Sequence, residues 1–196
     1  MAELQIGCLV MAAGSGSRFG RNKLEAVVDG KSLLRRSLEA VPTEEFAQVT
    51  VVTQYDAAAA LAEEFGFTVV RNDRPEDGLS RTVRLGTEAM ADRDAILYQV
   101  ADQPLLEQET VRRELEYFRA HPDHIVGLAH NGVRGNPCIF PRKFFPELMA
   151  LEGDVGGNVV IRAHPEELLL YETSAAELRD VDTVEALAAV QEDRQI

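Results

Sequence analysis

The order of apolar segments along this 196-residue chain predicts an α/β fold, with a mostly parallel central sheet between two layers of helix in three-layer α/β/α order. Two observations carry that expectation. The continuous apolar run Leu4 to Ala12 suits a central parallel strand covered on both faces. Beyond it, short β-branched runs alternate with stretches of helical periodicity. No internal repeat and no Pro/Gly/Ser-rich linker intervenes, so residues 1–196 read as one domain.

After the first strand, Gly14 to Asn22 is a loop by composition, and Leu33, Leu34 and Leu38 mark a helix over Ser32 to Ala40. Val49 to Thr53, β-branched throughout, is a second strand. An alanine-rich helix from Ala57 to Phe65 stops at Gly66, and Phe67 to Val70 is a third strand. A helix over Ser80 to Met90, a strand over Ala95 to Val100 and a longer helix from Glu107 to Ala120 follow, the last stopped by His121-Pro122. The second half predicts strands at Ile125 to Ala129, Cys138 to Phe140 and Leu168 to Tyr171. Its helices are expected at Arg142 to Leu151, Asn158 to Ala163 and Thr183 to Val190. Ligands of such sheets sit beyond the carboxyl ends of the strands, so chemistry is expected on the loops after strands one, three and four.

Composition excludes several classes. A net charge of −13 argues against general affinity for nucleic acid or anionic membrane. No apolar run approaches the roughly 20 residues of a membrane span, and Glu3 stands where a signal peptide would be basic. Cys8 and Cys138 lie in apolar stretches at no metal-ligand spacing, as expected for buried thiols of a reducing compartment. The expected location is cytoplasmic. His121, His124, His130 and His164 form no zinc pattern. The charge is uneven: six basic residues between Arg18 and Arg36 face only Glu25 and Asp29, whereas twelve acids and three bases follow from Phe144 onward. A basic loop in an acidic molecule suits a small anionic ligand, and the acidic tail favours solubility.

The loop after the first strand reads Met11-Ala12-Ala13-Gly14-Ser15-Gly16-Ser17-Arg18-Phe19-Gly20-Arg21-Asn22-Lys23. Its glycines free the backbone to curl, so that N–H groups from Ala12, Ala13, Gly14, Ser15 and Gly16 can converge on phosphate oxygens. Arg18 offers a planar fork and Lys23 a movable point charge. Phe19 replaces the third glycine of a dinucleotide fingerprint, Thr53 and Gln54 replace its acid, and the Gly-Lys-Ser/Thr of a P-loop is absent. A purely structural glycine turn is the alternative. Asp102, just past the fourth strand, emerges on the same sheet edge as a carboxylate suited to magnesium, or as a turn or helix N-terminal acid. Gly78, Ser80 and Thr82, with Asn72 before them, form a candidate base and ribose segment, with helix capping by Ser80 as the alternative. Asp154, among Gly153, Gly156 and Gly157, is either an acceptor-binding loop or a surface turn.

The glycine-loop sequence resembles the signature of the molybdopterin-guanylyltransferase-like nucleotidyltransferases, and the resemblance runs in order through nearly the whole chain. Ala101-Asp102-Gln103-Pro104 resembles the family's metal motif, Gly78-Leu79-Ser80 through Gly86 its base-contacting segment, and Gly135-Asn136-Pro137 its G-H-P segment. Gly153-Asp154-Val155-Gly156-Gly157 and Asp180-Val181-Asp182-Thr183 resemble its later turns. The pattern is most similar to the molybdenum cofactor cytidylyltransferase group. Two positions depart from it: Asn136 replaces the histidine of G-H-P, and Arg81 puts a bulky cation beside the expected base pocket.

The resemblance implies a Rossmann-like nucleotidyltransferase fold and a magnesium-dependent enzyme that moves CMP from CTP to a phosphate of molybdenum cofactor and releases pyrophosphate. Arg18, Lys23 and Asp102 are then catalytic, Asp102 and Asp182 hold the metal, and Asn136, Asp154 and Gly156 meet the acceptor. Asp182 also precedes a helix with Glu185 three residues on, so it reads equally as an N-cap. Implied partners are CTP or GTP, molybdenum cofactor and a molybdoenzyme that receives the product. The rivals are guanylyl transfer to the same cofactor, transfer to a sugar phosphate, and a non-catalytic cofactor chaperone.

Overall fold

The computed structural model describes residues 4–14 and 22–193. A seven-stranded sheet is flanked by helices on both faces, a Rossmann-like α/β arrangement. Its strands are β1 (Ile6–Ala12), β4 (Gln48–Thr53), β5 (Thr68–Arg71), β6 (Ala95–Val100), β7 (Ile125–His130), β8 (Val133–Pro141) and β9 (Leu168–Glu172), and a separate two-stranded ribbon joins β2 (Val27–Val28) to β3 (Lys31–Ser32). The order across the sheet is β5-β4-β1-β6-β8-β7-β9. β8 runs antiparallel to both of its neighbours, and the other pairings are parallel.

The helices are α1 (Leu33–Glu39), α2 (Asp56–Glu64), α3 (Leu79–Ala89), α4 (Gln108–Ala120), α5 (Phe145–Met149), α6 (Asn158–Ala163) and α7 (Val184–Asp193). Strand alternation sorts the core into two. Cys8, Val10 and Leu97 face Leu34 and Leu38 of α1, Ala58 and Ala62 of α2, and Leu115 and Phe118 of α4. Leu9, Ile96 and Tyr98 face Val83 of α3, Leu148 of α5 and Ile161 of α6 on the opposite side. Both cysteines are free and buried. Burial pushes the Cys138 thiol up to about 11 and that of Cys8 higher still, so neither is a thiolate at neutral pH. No helix among the described residues is long and apolar enough to cross a membrane.

The chain leaves β1 for β4 and β5 on one side, then crosses back to β6 on the other. The carboxyl ends of β1 and β6 therefore flank a crevice at a topological switch point, where open α/β sheets bind ligands.

Three local features depart from the expected elements. The ribbon β2–β3 turns on Asp29 and Gly30 at φ 48° and 77°, an Asp-Gly hairpin turn with both central residues left-handed. A second such turn, Asn131-Gly132 at φ 51° and 75°, folds β8 back along β7, so β8 spans nine residues rather than Cys138 to Phe140 alone. The expected helix Arg142 to Leu151 is instead a 3-10 turn over Arg142–Phe144 followed by α5, because Pro146 has no N–H to continue the ladder and belongs in a first helical turn.

One core position is chemically unexpected. Val111, Glu114, Leu115 and Phe118 form the inward face of α4, and Glu114 is fully buried with both carboxyl oxygens lacking a hydrogen-bond partner among the described residues. Burial raises its pKa well above the ordinary 4.5, so the folded protein holds the neutral acid. The folded state then binds a proton that the unfolded chain releases. Stability from this group is complete below pH 4.5 and falls as pH rises toward the folded-state value, by about 1.4 kcal/mol per pH unit. Glu114→Met is expected to remove that decline and to be more stable than wild type at pH near 8. Urea unfolding across pH checks this, and parallel profiles for the two proteins would contradict it.

Candidate functional site

Lys23 opens a single 3-10 turn, Lys23–Glu25, whose N-cap Asn22 accepts from the Leu24 amide at 3.2 Å, and buried Leu24 anchors the turn to the core. The Lys23 side chain enters the crevice. Its Nζ donates to Asp102 Oδ2 at 2.5 Å and to Asp182 Oδ1 at 2.7 Å. Asp102 follows β6, and the Val181 amide donates to the Asp102 carbonyl at 2.9 Å, which brings the Asp180–Asp182 segment alongside. Burial alone would lower the Lys23 pKa, but the charges and hydrogen bonds of Asp102 and Asp182 outweigh it and hold the ammonium above its ordinary value.

A cavity of about 210 Å³ opens here, lined by Ala12, Ala13, Gly14, Lys23, Thr82 and Asp102 together with apolar side chains. Five expected nucleotide-site residues thus share one crevice with the expected metal ligand Asp102. Ser15, Gly16 and Arg18 lie outside the described residues. Of the basic cluster between Arg18 and Arg36, four members are described, and Lys23 alone lines the crevice. Lys31 pairs with Glu39, Arg35 with Glu64, and Arg36 with Asp29 and the Val28 carbonyl.

The Asn72 to Gly86 segment divides between lining and support. Thr82 lines the cavity, and Asn72 stands behind it, donating to Thr82 Oγ1 at 3.2 Å. Ser80 is buried, with its hydroxyl directed to the Asp77 carbonyl at 3.5 Å, and it does not cap α3. Gly78 takes φ 85°, and a Cβ there would stand 2.6 Å from the Gly153 backbone, so the close approach it permits is to the Gly153–Asp154 turn. Asp154 accepts from the Leu79 amide at 3.2 Å and so satisfies an orphan donor of α3. Arg81 turns away from the crevice: its Nε donates to Asn72 Oδ1 at 3.1 Å and its Nη2 pairs with Asp73.

Asn136 and Gly156 line a smaller adjoining cavity of about 80 Å³ over Tyr98 and Phe140, which shares Met11, Leu79 and Val100 with the crevice. The sequence reading overlooked Arg134, the cation of this second cavity, although it directly precedes the Gly135-Asn136-Pro137 segment. Its guanidinium bonds the Cys138 sulfur and the Gly135 carbonyl, both at 3.0 Å, and Asn158. Asp180, which the sequence reading placed only within a motif and gave no role, lies nearby. It shares a polar hollow of about 550 Å³ with Gln103 and Arg134. Burial first, then the charges of Asp102 and Asp182, raise its pKa to about 6 against the opposing hydrogen bond of Gln103 and the charge of Lys23.

The site suits a hard divalent cation. Asp102 Oδ1 is buried without a hydrogen-bond partner among the described residues, and Asp102 and Asp182 already converge on one positive charge, the Lys23 ammonium. Asp182 is not the helix cap. Thr183 Oγ1 accepts from the Ala186 amide at 3.1 Å at the start of α7. Thr183→Ala is therefore expected to cost about 1 kcal/mol of stability, whereas Asp182→Asn should leave α7 capped and perturb only the crevice. Chemical unfolding of both variants checks this, and a larger loss for Asp182→Asn would reverse the assignment.

Comparison with known proteins follows the same lines. Residues 8–168 match the family model described as the MobA-like NTP transferase domain. The nicotine blue oxidoreductase of Paenarthrobacter nicotinovorans is 28% identical, over 95% of this chain and 98% of that protein. The structure of Rv0371c from Mycobacterium tuberculosis H37Rv superposes with a TM-score of 0.82 at 24% identity, covering 98% of this chain and 100% of that one. A CMP:2-keto-3-deoxy-manno-octonic acid synthetase complexed with CTP superposes with a TM-score of 0.79 at 13% identity, covering 97% and 98%. At these identities the structural likenesses establish the shared fold. The family match spans most of the chain and includes Lys23 and Asp102, though it stops short of Asp182, so the protein belongs to the MobA-like NTP transferase domain family, the molybdopterin-guanylyltransferase-like nucleotidyltransferases.

Proposed function

We propose that this nucleotidyltransferase moves CMP from CTP to a terminal phosphate of molybdenum cofactor and releases pyrophosphate, in the cytoplasm. The observation that carries the reading is the meeting of Lys23, Asp102 and Asp182 at the carboxyl edge of β1 and β6, against the Ala12–Gly14 backbone. In this reading an acceptor phosphate oxygen attacks the α-phosphorus in line. A new P–O bond forms as the bond to the β-phosphate oxygen breaks, and pyrophosphate leaves with the electron pair. The acceptor phosphate is already nucleophilic, so the protein's work is positioning and charge neutralisation. Lys23, with Arg18 and the loop amides, meets the charge that develops on the departing pyrophosphate. Asp102 and Asp182 would hold magnesium, which when bound supplies charge neutralisation on the triphosphate. The adjoining cavity beside Asn136 and Gly156 is where this reading seats the acceptor, with Arg134 as an added cation for its phosphate.

Cytosine fits a compact pocket with few polar groups. Among the described residues Thr82, steadied by Asn72, is the side-chain hydroxyl that reaches the crevice, and the engagement of Arg81 with Asp73 and Asn72 removes the cation that would favour guanine. The fold shared with the CTP complex of the octonic acid synthetase supports the same base. A second reading, oxidoreductase activity, rests on the full-length match to the nicotine blue oxidoreductase. Guanylyl transfer, sugar-phosphate transfer and a non-catalytic chaperone that delivers molybdenum cofactor to an apo-enzyme are the remaining rivals.

Pyrophosphate release with each of the four triphosphates, with and without molybdenum cofactor, tests the reading. The expected order is CTP above GTP, with ATP and UTP poor. Preference for GTP replaces the cytidylyl assignment. A change in the oxidation state of nicotine blue without pyrophosphate release favours the oxidoreductase. Asp102→Asn should cost at least about a hundredfold in turnover, because an amide is a poor ligand for a hard cation. Lys23→Ala should lower turnover more than triphosphate affinity, and a pure rise in KM would show uniform ground-state binding instead.

A further inference from the structure

Three consecutive carbonyls at the end of β1 are held by three consecutive side chains at the end of β4. The Thr53 hydroxyl donates to Ala12 O at 2.9 Å, Gln54 Nε2 to Ala13 O at 2.7 Å, and the Tyr55 hydroxyl to Gly14 O at 2.9 Å. Thr53 pairs in register with Ala12, and its hydroxyl also accepts from the Tyr55 amide at 3.1 Å, which fixes the turn out of β4. The Arg71 guanidinium steadies that turn from β5 by donating to the Tyr55 carbonyl at 3.0 Å.

This is not the geometry of a strand, where successive carbonyls point to opposite neighbours. Three in a row bound from one side mean that the backbone begins to curl at Ala13. A trans peptide is planar, with its C=O and N–H opposed. With the Ala12 and Ala13 oxygens drawn toward β4, the amides of Ala13 and Gly14 face the other way, toward β6 and the crevice beside Asp102.

We infer that Gln54 and Tyr55 are positioning residues for the start of the glycine loop: by holding the Ala13 and Gly14 carbonyls they fix Gly14 at both ends, so that the Ala13 and Gly14 amides face the phosphates of a nucleoside triphosphate, without touching the nucleotide themselves. Amides already aimed lose less conformational freedom on binding, and the gain appears as affinity for the phosphates. Thr53 makes the same contact with Ala12 but is buried in the ladder, so its loss would confound binding with folding. Gln54 and Tyr55 are half-buried at the strand's exit and can lose their donors while keeping their bulk. The inference rests on the nucleotidyl-transfer reading of the crevice.

The test uses Gln54→Met, Tyr55→Phe and the double variant, with calorimetric titration of CTP, GTP and CMP and thermal unfolding of each protein. Each single variant is expected to weaken binding of the preferred triphosphate about fivefold. The double variant should weaken it further, while CMP affinity and the unfolding midpoint stay close to wild type. A role only in the fold would instead lower the midpoint and leave the triphosphate-to-monophosphate affinity ratio unchanged, which overturns the inference. So does triphosphate binding at wild-type strength in the double variant. A wild-type protein that binds neither CTP nor GTP overturns the transfer reading itself, whatever the variants do.

Discussion

The contact of the Lys23 ammonium with Asp102 and Asp182 is the constraint around which the crevice is organised. It joins segments 79 and 159 residues apart in sequence, so the end of β1's loop, the exit of β6 and the approach to α7 meet at one charge. The environment makes the contact strong. Lys23 and Asp102 are mostly withdrawn from solvent, and a half-buried charge that loses its partner costs far more than an exposed pair contributes. Asp182 is more open to water and can adapt when another cation or a phosphate enters. The buried Oδ1 of Asp102, without a hydrogen-bond partner among the described residues, leaves one acceptor for such an arrival.

The surroundings support this arrangement in layers. The β1–β4 and β1–β6 ladders fix the two strand exits, the Thr53–Tyr55 side chains fix the first carbonyls of the loop, and Asn72 fixes Thr82. The Gly153–Asp154 turn packs on Gly78 and closes the amino end of α3, so a segment that reads as a surface loop braces the helix that bears Thr82. Rigid backing of this kind matches a reaction that needs positioning and charge rather than a strong base. The acidic surface plays a different part. The other described basic residues of the cluster around Lys23, namely Lys31, Arg35 and Arg36, are neutralised by neighbouring acids in space, which leaves Lys23 as the cation of the described crevice.

Much of the fold was legible because its signals are local. Strand Ala95 to Val100 and helix Asn158 to Ala163 fall where the apolar pattern places them, and most other elements shift by a residue or two at their ends. The two hairpins were missed although Asp29-Gly30 and Asn131-Gly132 are turn signals, because the runs beside them are short or polar and do not alternate clearly. Glu114 was invisible for the opposite reason: a carboxylate on a helix reads as a solvent-facing position, and only the packing of α4 against the sheet puts it inside.

Sequence alone determined the α/β class, the glycine loop, and the presence of Lys23, Asp102 and Asp182 as candidates, because strand runs, glycine spacing and motif order are properties of neighbouring residues. Tertiary structure decided which candidates meet. It brought Lys23 between two distant carboxylates, gave the α7 cap to Thr183 rather than Asp182, turned Arg81 away from the crevice, and set Asp154 against the amino end of α3. Those outcomes depend on strand order and on the directions of side chains from separate elements, and no local pattern encodes either.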